Sequence, residues 1–294
     1  MTSTRRTTAY APGRVNVIGD HTDYTGGFVL PMAIDLGTTV TVERSGTSVH
    51  LRSDVEPSPA SVPLDIADPS RAEPAWARYV AGIVGEVQPP VGARGTVRTT
   101  LPVGAGLGSS AALEVAVALA LGFDGAPLEL ARLCRRAEER ASGVPCGIMD
   151  QLASVAGVSG SLLLIDCRAL SVTPTPLPEG AAVLGVHSGQ ARTLAGSAYA
   201  DRRAECEAAQ AEIGPLRDAS PRDVDAVHEP LLRRRARHVV TENARVLAFA
   251  GALAGGDLVG AGLLMVESHA SLRDDFEVST PAVDELVSAL TTID

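Results

Sequence analysis

Between Arg94 and Phe123 the chain passes from a β-rich run, through Pro102-Val-Gly104-Ala105-Gly106-Leu107-Gly108-Ser109-Ser110, into a nearly unbroken apolar stretch. No other segment restricts the fold so strongly. The spacing predicts a strand over 94–101 and a helix over 111–121, apolar on nearly every side and therefore buried. Glycines allow the joining backbone to approach an anion, its N–H groups converge, and the helix N-terminus adds positive potential, so a phosphate site is one reading. A tight turn capped by Ser is the other, and the spacing is not the GxGxxG of a dinucleotide fold.

Composition narrows the choice of chemistry. The chain has 294 residues, 45% hydrophobic and 20% charged, which suits a folded protein of about two domains. Only 3% are aromatic, so the core must be aliphatic. All 25 basic residues are Arg, against 35 acidic ones, for a net charge of −10. Nucleic acid is thereby excluded as a main partner. Without Lys there is no Walker A lysine, no protein-kinase strand lysine and no Schiff base. Cationic catalysis must come from Arg or a metal. Cys134, Cys146, Cys167 and Cys206 form no CxxC pair and the six His show no metal spacing, so neither disulfides nor structural zinc is expected. The N-terminus has no signal-peptide core. The most apolar segment, 111–123, is interrupted by Glu114 and is too short to span a bilayer. The expectation is a soluble, cytoplasmic, monomeric protein with no membrane partner.

Along the chain, 38–52 reads as a hairpin around Ser45-Gly46 and 55–74 as surface loop. Helices are predicted from Pro127 to about Ser142 and over 147–156, with a buried strand over 161–166. Residues 171–180, with Pro174, Pro176 and Pro178, read as a linker. A strand over 181–187 and mostly helical patterns follow. This mixture indicates an α+β fold.

Three further segments can carry chemistry. Arg14, Asp20, His21, Thr22, Asp23 and Tyr24 crowd carboxylates, an imidazole and hydroxyls into one stretch, which suits a sugar's adjacent hydroxyls and equally suits a polar turn. Glu138 lies on the apolar side of its helix, four residues after Cys134, and needs either a salt-bridge partner or Mg²⁺, for which Ser110 could supply another oxygen. Asp150 opens an otherwise apolar helix, with Arg14 as its natural partner, either as a structural ion pair or at a reaction centre. Arg233, Arg234, Arg235, Arg237 and His238 read as solvated surface, and His269 has no evident partner.

Together, APGRVNVIGDHTDYTGG, LPVGAGLGSSAALEVA, CGIMDQ and LLLIDCRAL, with downstream segments around Tyr199 and His269, resemble the galactokinases of the GHMP small-molecule kinases, in collinear order over nearly the whole chain. The resemblance implies a two-lobed GHMP fold: an N-terminal lobe over 1–176 and a C-terminal lobe over 177–294. It implies transfer of a phosphoryl group from ATP, with Mg²⁺, to the C1 hydroxyl of galactose. Arg14 and Asp150 would be catalytic, and Asp20, His21, Thr22, Asp23 and Tyr199 would hold the sugar. Ser53 and Gly104, Ala105, Gly106, Leu107, Gly108, Ser109 and Ser110 would contact ATP, with Ser110 and Glu138 toward Mg²⁺. Two departures stand out. Asp20 replaces the family's usual Glu, shortening its reach by roughly 1.5 Å. The family's third glycine-rich motif does not occur before Asp294, so the C-terminal lobe is expected to be incomplete. A galactose and ATP sensor, or a kinase for a related sugar such as N-acetylgalactosamine, are the alternatives these departures raise.

Overall fold

The structure, a computed structural model, describes residues 6–102, 104–189 and 196–292. In chain order its strands and helices are β1 (Arg6–Asn16), β2 (Phe28–Val29), β3 (Pro31–Arg44), β4 (Ser48–Ser53), β5 (Ala60–Pro63), α1 (Ala77–Val87), β6 (Ala93–Thr99), α2 (Ser109–Ala120), α3 (Pro127–Ser142) and α4 (Met149–Ala156). Then follow β7 (Ser161–Asp166), β8 (Ser171–Pro176), α5 (Gly196–Ile213), α6 (Pro221–Asp225), α7 (Pro230–Ala254), α8 (Leu258–Asp274) and α9 (Pro281–Leu290). The chain forms two units, Met1–Val15 with Ala33–Gly157, and Asn16–Met32 with Val158–Asp294. Among the described residues no helix is long and apolar enough to cross a membrane.

The first unit is built on a sheet of order β1-β3-β6-β4-β5. Alternate residues of its strands, Val40 and Val42, Val49 and Leu51, Ala60 and Val62, Ala93 and Val97, point into one aliphatic core, as the twofold strand period requires. Helix α2 fills this core with Val115, Ala116, Val117 and Ala118, and α1 and α3 pack against it and each other. The expected hairpin over 38–52 does not form. Its arms are β3 and β4, but β6 lies between them, antiparallel to β3 and parallel to β4. Local alternation reports strand character and says nothing of which strand is the neighbour. Residues 55–74 are likewise more than loop, since they contribute β5 and a short 3₁₀ turn over Pro69–Arg71.

The second unit holds the sheet β2-β7-β8 and the helices from α5 onward. One of its cores joins Ile18, Leu30 and Leu162 to Val246, Phe249 and Leu253 of α7, and another gathers Cys206, Leu216, Val239 and Phe276. The proline-rich run 171–176, expected as a linker, is β8, paired antiparallel with β7. As an edge strand it can carry Pro174 and Pro176, whose missing N–H groups cost nothing where they face away from the ladder. The expected strand over 181–187 is irregular chain, with Leu184 fully exposed in character at 83%. Its apolar residues mimic a strand pattern without a partner ladder.

The basic run near 233–238 is only partly solvated surface: Arg237 is exposed, whereas Arg235 and His238 are enclosed. Arg235 is 1% exposed: its Nε donates to Glu205 at 2.6 Å, one terminal nitrogen to Glu277 at 2.7 Å and the other to the Asp275 carbonyl at 2.6 Å. His238 is buried as well. His269 has a partner, Asp284, at 3.1 Å.

Candidate functional site

In the first unit the glycine loop adopts the conformation that glycine permits. Gly104, Gly106 and Gly108 have φ of 76°, 76° and 71°, with open space where the first two would carry a Cβ. A side chain at any of them would be strained. Gly108 caps α2, whose first backbone bond runs from the Ala112 N–H to the Gly108 carbonyl. The N–H groups of Ser109, Ser110 and Ala111 therefore have no partner within the helix, the arrangement that receives a phosphate. Val103 lies outside the described residues.

Arg14 of β1 ties this loop to the expected acid. Its Nε donates to Asp150 Oδ1 at 2.7 Å and Nη2 to Oδ2, a two-pronged bridge, while Nη1 donates to the Gly106 carbonyl. The Arg14 backbone N–H reaches the Leu107 carbonyl at 3.0 Å. Helix α4 brings Asp150 here because Ser154, one turn on, donates to the Pro12 carbonyl at 2.8 Å. The Arg14 side chain is 9% exposed and that of Asp150 27%, so the bridge is largely desolvated while the carboxylate keeps an open side. Such a fork fixes the carboxylate plane and holds a positive charge beside the loop.

Beside this pair sits a buried acidic cluster. Ser110 donates to Glu138 Oε1 at 2.8 Å, and the Gln151 amide donates to Oε2 at 2.7 Å. Burial, and then the charge of Asp150, raise the Glu138 carboxyl above its ordinary range. Glu114, one turn after Ser110 on α2, is fully buried, and neither carboxyl oxygen has a hydrogen-bond partner. Burial, then the nearby Glu138, hold it well above the usual carboxylate range. A serine oxygen beside a carboxylate crowded by other acids is a hard-oxygen donor set, and a divalent cation fits it. Among the described residues no group of three or more His, Cys, Asp or Glu could hold a metal ion by itself. Ser53, expected near ATP, ends β4, where its hydroxyl accepts the Val55 N–H at 3.3 Å and serves its own turn.

In the second unit the segment from Gly19 to Phe28 forms a tight loop. Gly19 has φ of 100°, and a Cβ there would lie 2.8 Å from the Phe28 carbonyl oxygen, so glycine is required. Thr22 is wholly buried, its hydroxyl 2.8 Å from the Gly19 carbonyl and 2.6 Å from that of Phe28. Thr22 therefore shapes the loop from inside. Asp20, His21 and Asp23 stay partly exposed. His21 takes a left-handed φ of 65°, uncommon outside glycine, and its Nδ1 lies 3.1 Å from the Tyr24 hydroxyl. Tyr199 of α5 joins it, 5.8 Å from the His21 ring and 5.4 Å from Tyr24. Phe276 closes the cluster 4.7 Å from His21. The expected sugar residues Asp20, His21, Asp23 and Tyr199 thus lie in one unit with partly polar, partly aromatic surroundings.

Sequence reasoning passed over Glu114 as an interruption, and it missed Gln151, His238, Glu242 and Asn243. The usable signal was spacing: Glu114 stands four residues after Ser110, and His238 and Glu242 share one face of a helix otherwise apolar there.

Residues 2–44 match the galactokinase galactose-binding signature, and residues 77–158 match the GHMP kinases N terminal domain. The chain is similar to Lactococcus lactis galactokinase complexed with galactose, at 29% identity and a TM-score of 0.89, covering 99% of this chain and 81% of that one. Its fold is also that of Methanococcus jannaschii mevalonate kinase, at 16% identity and a TM-score of 0.60 over 97% of this chain and 84% of that one. Mevalonate kinase from methicillin-resistant Staphylococcus aureus gives 20% identity and a TM-score of 0.56, with 97% and 82% covered. The signature, the domain and the fold agree in likening the chain to the galactokinases of the GHMP kinases.

Proposed function

We propose that the chain transfers the γ-phosphoryl group of ATP to the C1 hydroxyl of galactose, giving galactose 1-phosphate and ADP. The observation that carries this reading is the Arg14 guanidinium, bonded at once to Asp150 and to the Gly106 carbonyl of the glycine loop. It couples a carboxylate able to accept a proton to a loop shaped for phosphates. The galactose-binding signature over 2–44 supports the choice of sugar.

Asp150 accepts or anchors the C1 hydroxyl proton as that oxygen bonds to phosphorus, and the bond between phosphorus and the ADP oxygen breaks. Arg14 fixes the Asp150 carboxylate in place through its two-pronged bridge and holds positive charge beside the oxygens that gain negative charge. The loop N–H groups from Gly104 to Ser110 cradle the phosphates. Ser110 and Glu138 would hold Mg²⁺, which when bound would neutralise phosphate charge, a task no lysine can perform in this chain. Asp20, His21, Asp23 and Tyr199 orient the sugar, and Thr22 keeps their loop in shape. The shorter Asp20 leaves room at its hydroxyl, so a related hexose is the competitor to include.

The test is ADP release with MgATP across galactose, N-acetylgalactosamine, glucose and no sugar, for the wild type and Asp150→Asn. Turnover dependent on galactose, lowered about 10³-fold or more in the variant while the melting temperature is kept, is expected. ADP release indifferent to sugar, or an Asp150→Asn variant of full activity, contradicts the reading.

A further inference from the structure

Helix α7 sends three buried polar side chains toward one short loop. Glu242, 0% exposed, accepts the Gly19 backbone N–H at 3.0 Å. His238, also 0% exposed, places Nε2 3.0 Å from the Asp20 carbonyl oxygen. Asn243 accepts the Phe28 backbone N–H at 2.8 Å through Oδ1. All three grips fall on main-chain atoms, and they bracket the stretch that carries Asp20, His21 and Asp23. A helix that only packed could present apolar side chains here. Buried polar groups are costly unless paired, and these are paired to loop backbone.

Each clamp residue is itself held. The second Glu242 oxygen accepts Arg245 Nε at 2.7 Å, and Ser268 donates to the first at 2.6 Å. Asn243 Nδ2 donates to the Val239 carbonyl one turn back at 2.9 Å. His238 Nδ1 lies 2.9 Å from the Ser271 hydroxyl, which leaves the Nε2 proton for the Asp20 carbonyl. The far end of the loop is gripped separately: Arg217 bridges Asp166 at 2.8 Å, donates to the Gly26 carbonyl at 2.7 Å and lies 3.6 Å above the Phe28 ring. A loop with a left-handed His21 and a glycine-only Gly19 is uphill for a free chain, so such support is what keeps it in one shape.

We propose that His238, Glu242 and Asn243 form a positioning clamp that presents the sugar-contacting side chains of the 19–28 loop in their binding arrangement before any sugar arrives. This rests on the galactose-kinase reading only for the identity of the ligand. The clamp residues act through the loop and touch no reacting atom, so they set sugar affinity and leave nucleotide affinity alone. Preorganisation of this kind removes the ordering cost that binding would otherwise bear.

Two measurements test it, one independent of activity. Hydrogen exchange of the wild type without ligand should show the Gly19 and Phe28 amides protected to the level of the α7 backbone. Exchange at the rate of an open loop overturns the clamp whatever the enzyme phosphorylates. The second compares Asn243→Ala and Asn243→Asp with wild type in steady-state kinetics. Asn243→Ala should raise KM for galactose about tenfold, with kcat and KM for MgATP within twofold. Asn243→Asp, which keeps the acceptor for Phe28, should recover most of that loss. A folded Asn243→Ala enzyme with unchanged galactose KM, or one losing galactose and MgATP affinity equally, overturns the proposal. A wild type with no activity toward galactose refutes the ligand assignment, while the exchange result still judges the clamp.

Discussion

In the first unit, Glu114, Glu138 and Asp150 crowd together, and burial with mutual repulsion raises the first two above their ordinary range. In the second unit the groups that hold the 19–28 loop are matched donor to acceptor, with Glu242 neutralised by Arg245 and His238 kept uncharged by burial. The carboxylates of the first unit are thus under electrostatic tension, relieved by positive charge or by protons. The side chains that grip the 19–28 loop are already paired. On the function proposed above, the contrast follows from the ligands: a highly charged triphosphate with its metal is met by carboxylate that a cation compensates, whereas a neutral sugar gains most from fixed geometry.

The largest expected effect that separates the two sides is Glu138→Gln. The amide still accepts from Ser110 but carries no charge, so turnover should fall about 100-fold through weaker use of MgATP. Galactose binding by calorimetry should change less than twofold, and the melting temperature should not fall, because a strained buried acid has been removed. Equal loss of sugar and nucleotide affinity would erase the distinction between the sides.

A smaller effect concerns pH. The folded Glu114 holds its proton above the 4.5 of a free glutamic acid, so it binds more protons folded than unfolded between that value and its raised one. Its contribution to stability is present at low pH and is lost as pH rises through that window. Glu114→Gln should therefore melt higher than wild type at pH 8, with the gap closing toward pH 5, by a few degrees. His238 has the opposite sign. Its pKa is depressed below 6.5, so its contribution is present above that value and lost as pH falls through the depressed one. A gap that widens on acidification would show that Glu114 is not the strained group.

Legibility in the sequence followed the same divide. The glycine loop 104–110 and the Arg14–Asp150 pair were readable from residue type and spacing, glycines that need positive φ and a buried charge that needs a partner, whereas Glu138 beside Ser110 came from the family resemblance, spacing alone leaving a salt bridge as its other reading. Helices over 127–142 and near 149–156, and the strand 161–166, were readable from period and caps. The placement of β6 between β3 and β4 was not, since alternation is blind to neighbours. Nor was the edge strand 171–176, whose prolines resemble a linker until the sheet edge is seen. The clamp escaped because His238, Glu242 and Asn243 act on main-chain atoms more than 200 residues away, and a helix rich in Arg reads as surface until Arg235 is found enclosed by Glu205 and Glu277.

The most direct test of the central claim is to identify the product. The full chain incubated with MgATP and galactose carrying ¹³C at C1 should yield one phosphate ester, detected by ³¹P resonance, with coupling between that phosphorus and the labelled carbon. This is the result expected if Asp150 handles the anomeric hydroxyl beside the Arg14 bridge. A phosphate ester without coupling to C1, or ATP consumed with no sugar phosphate formed, would contradict it.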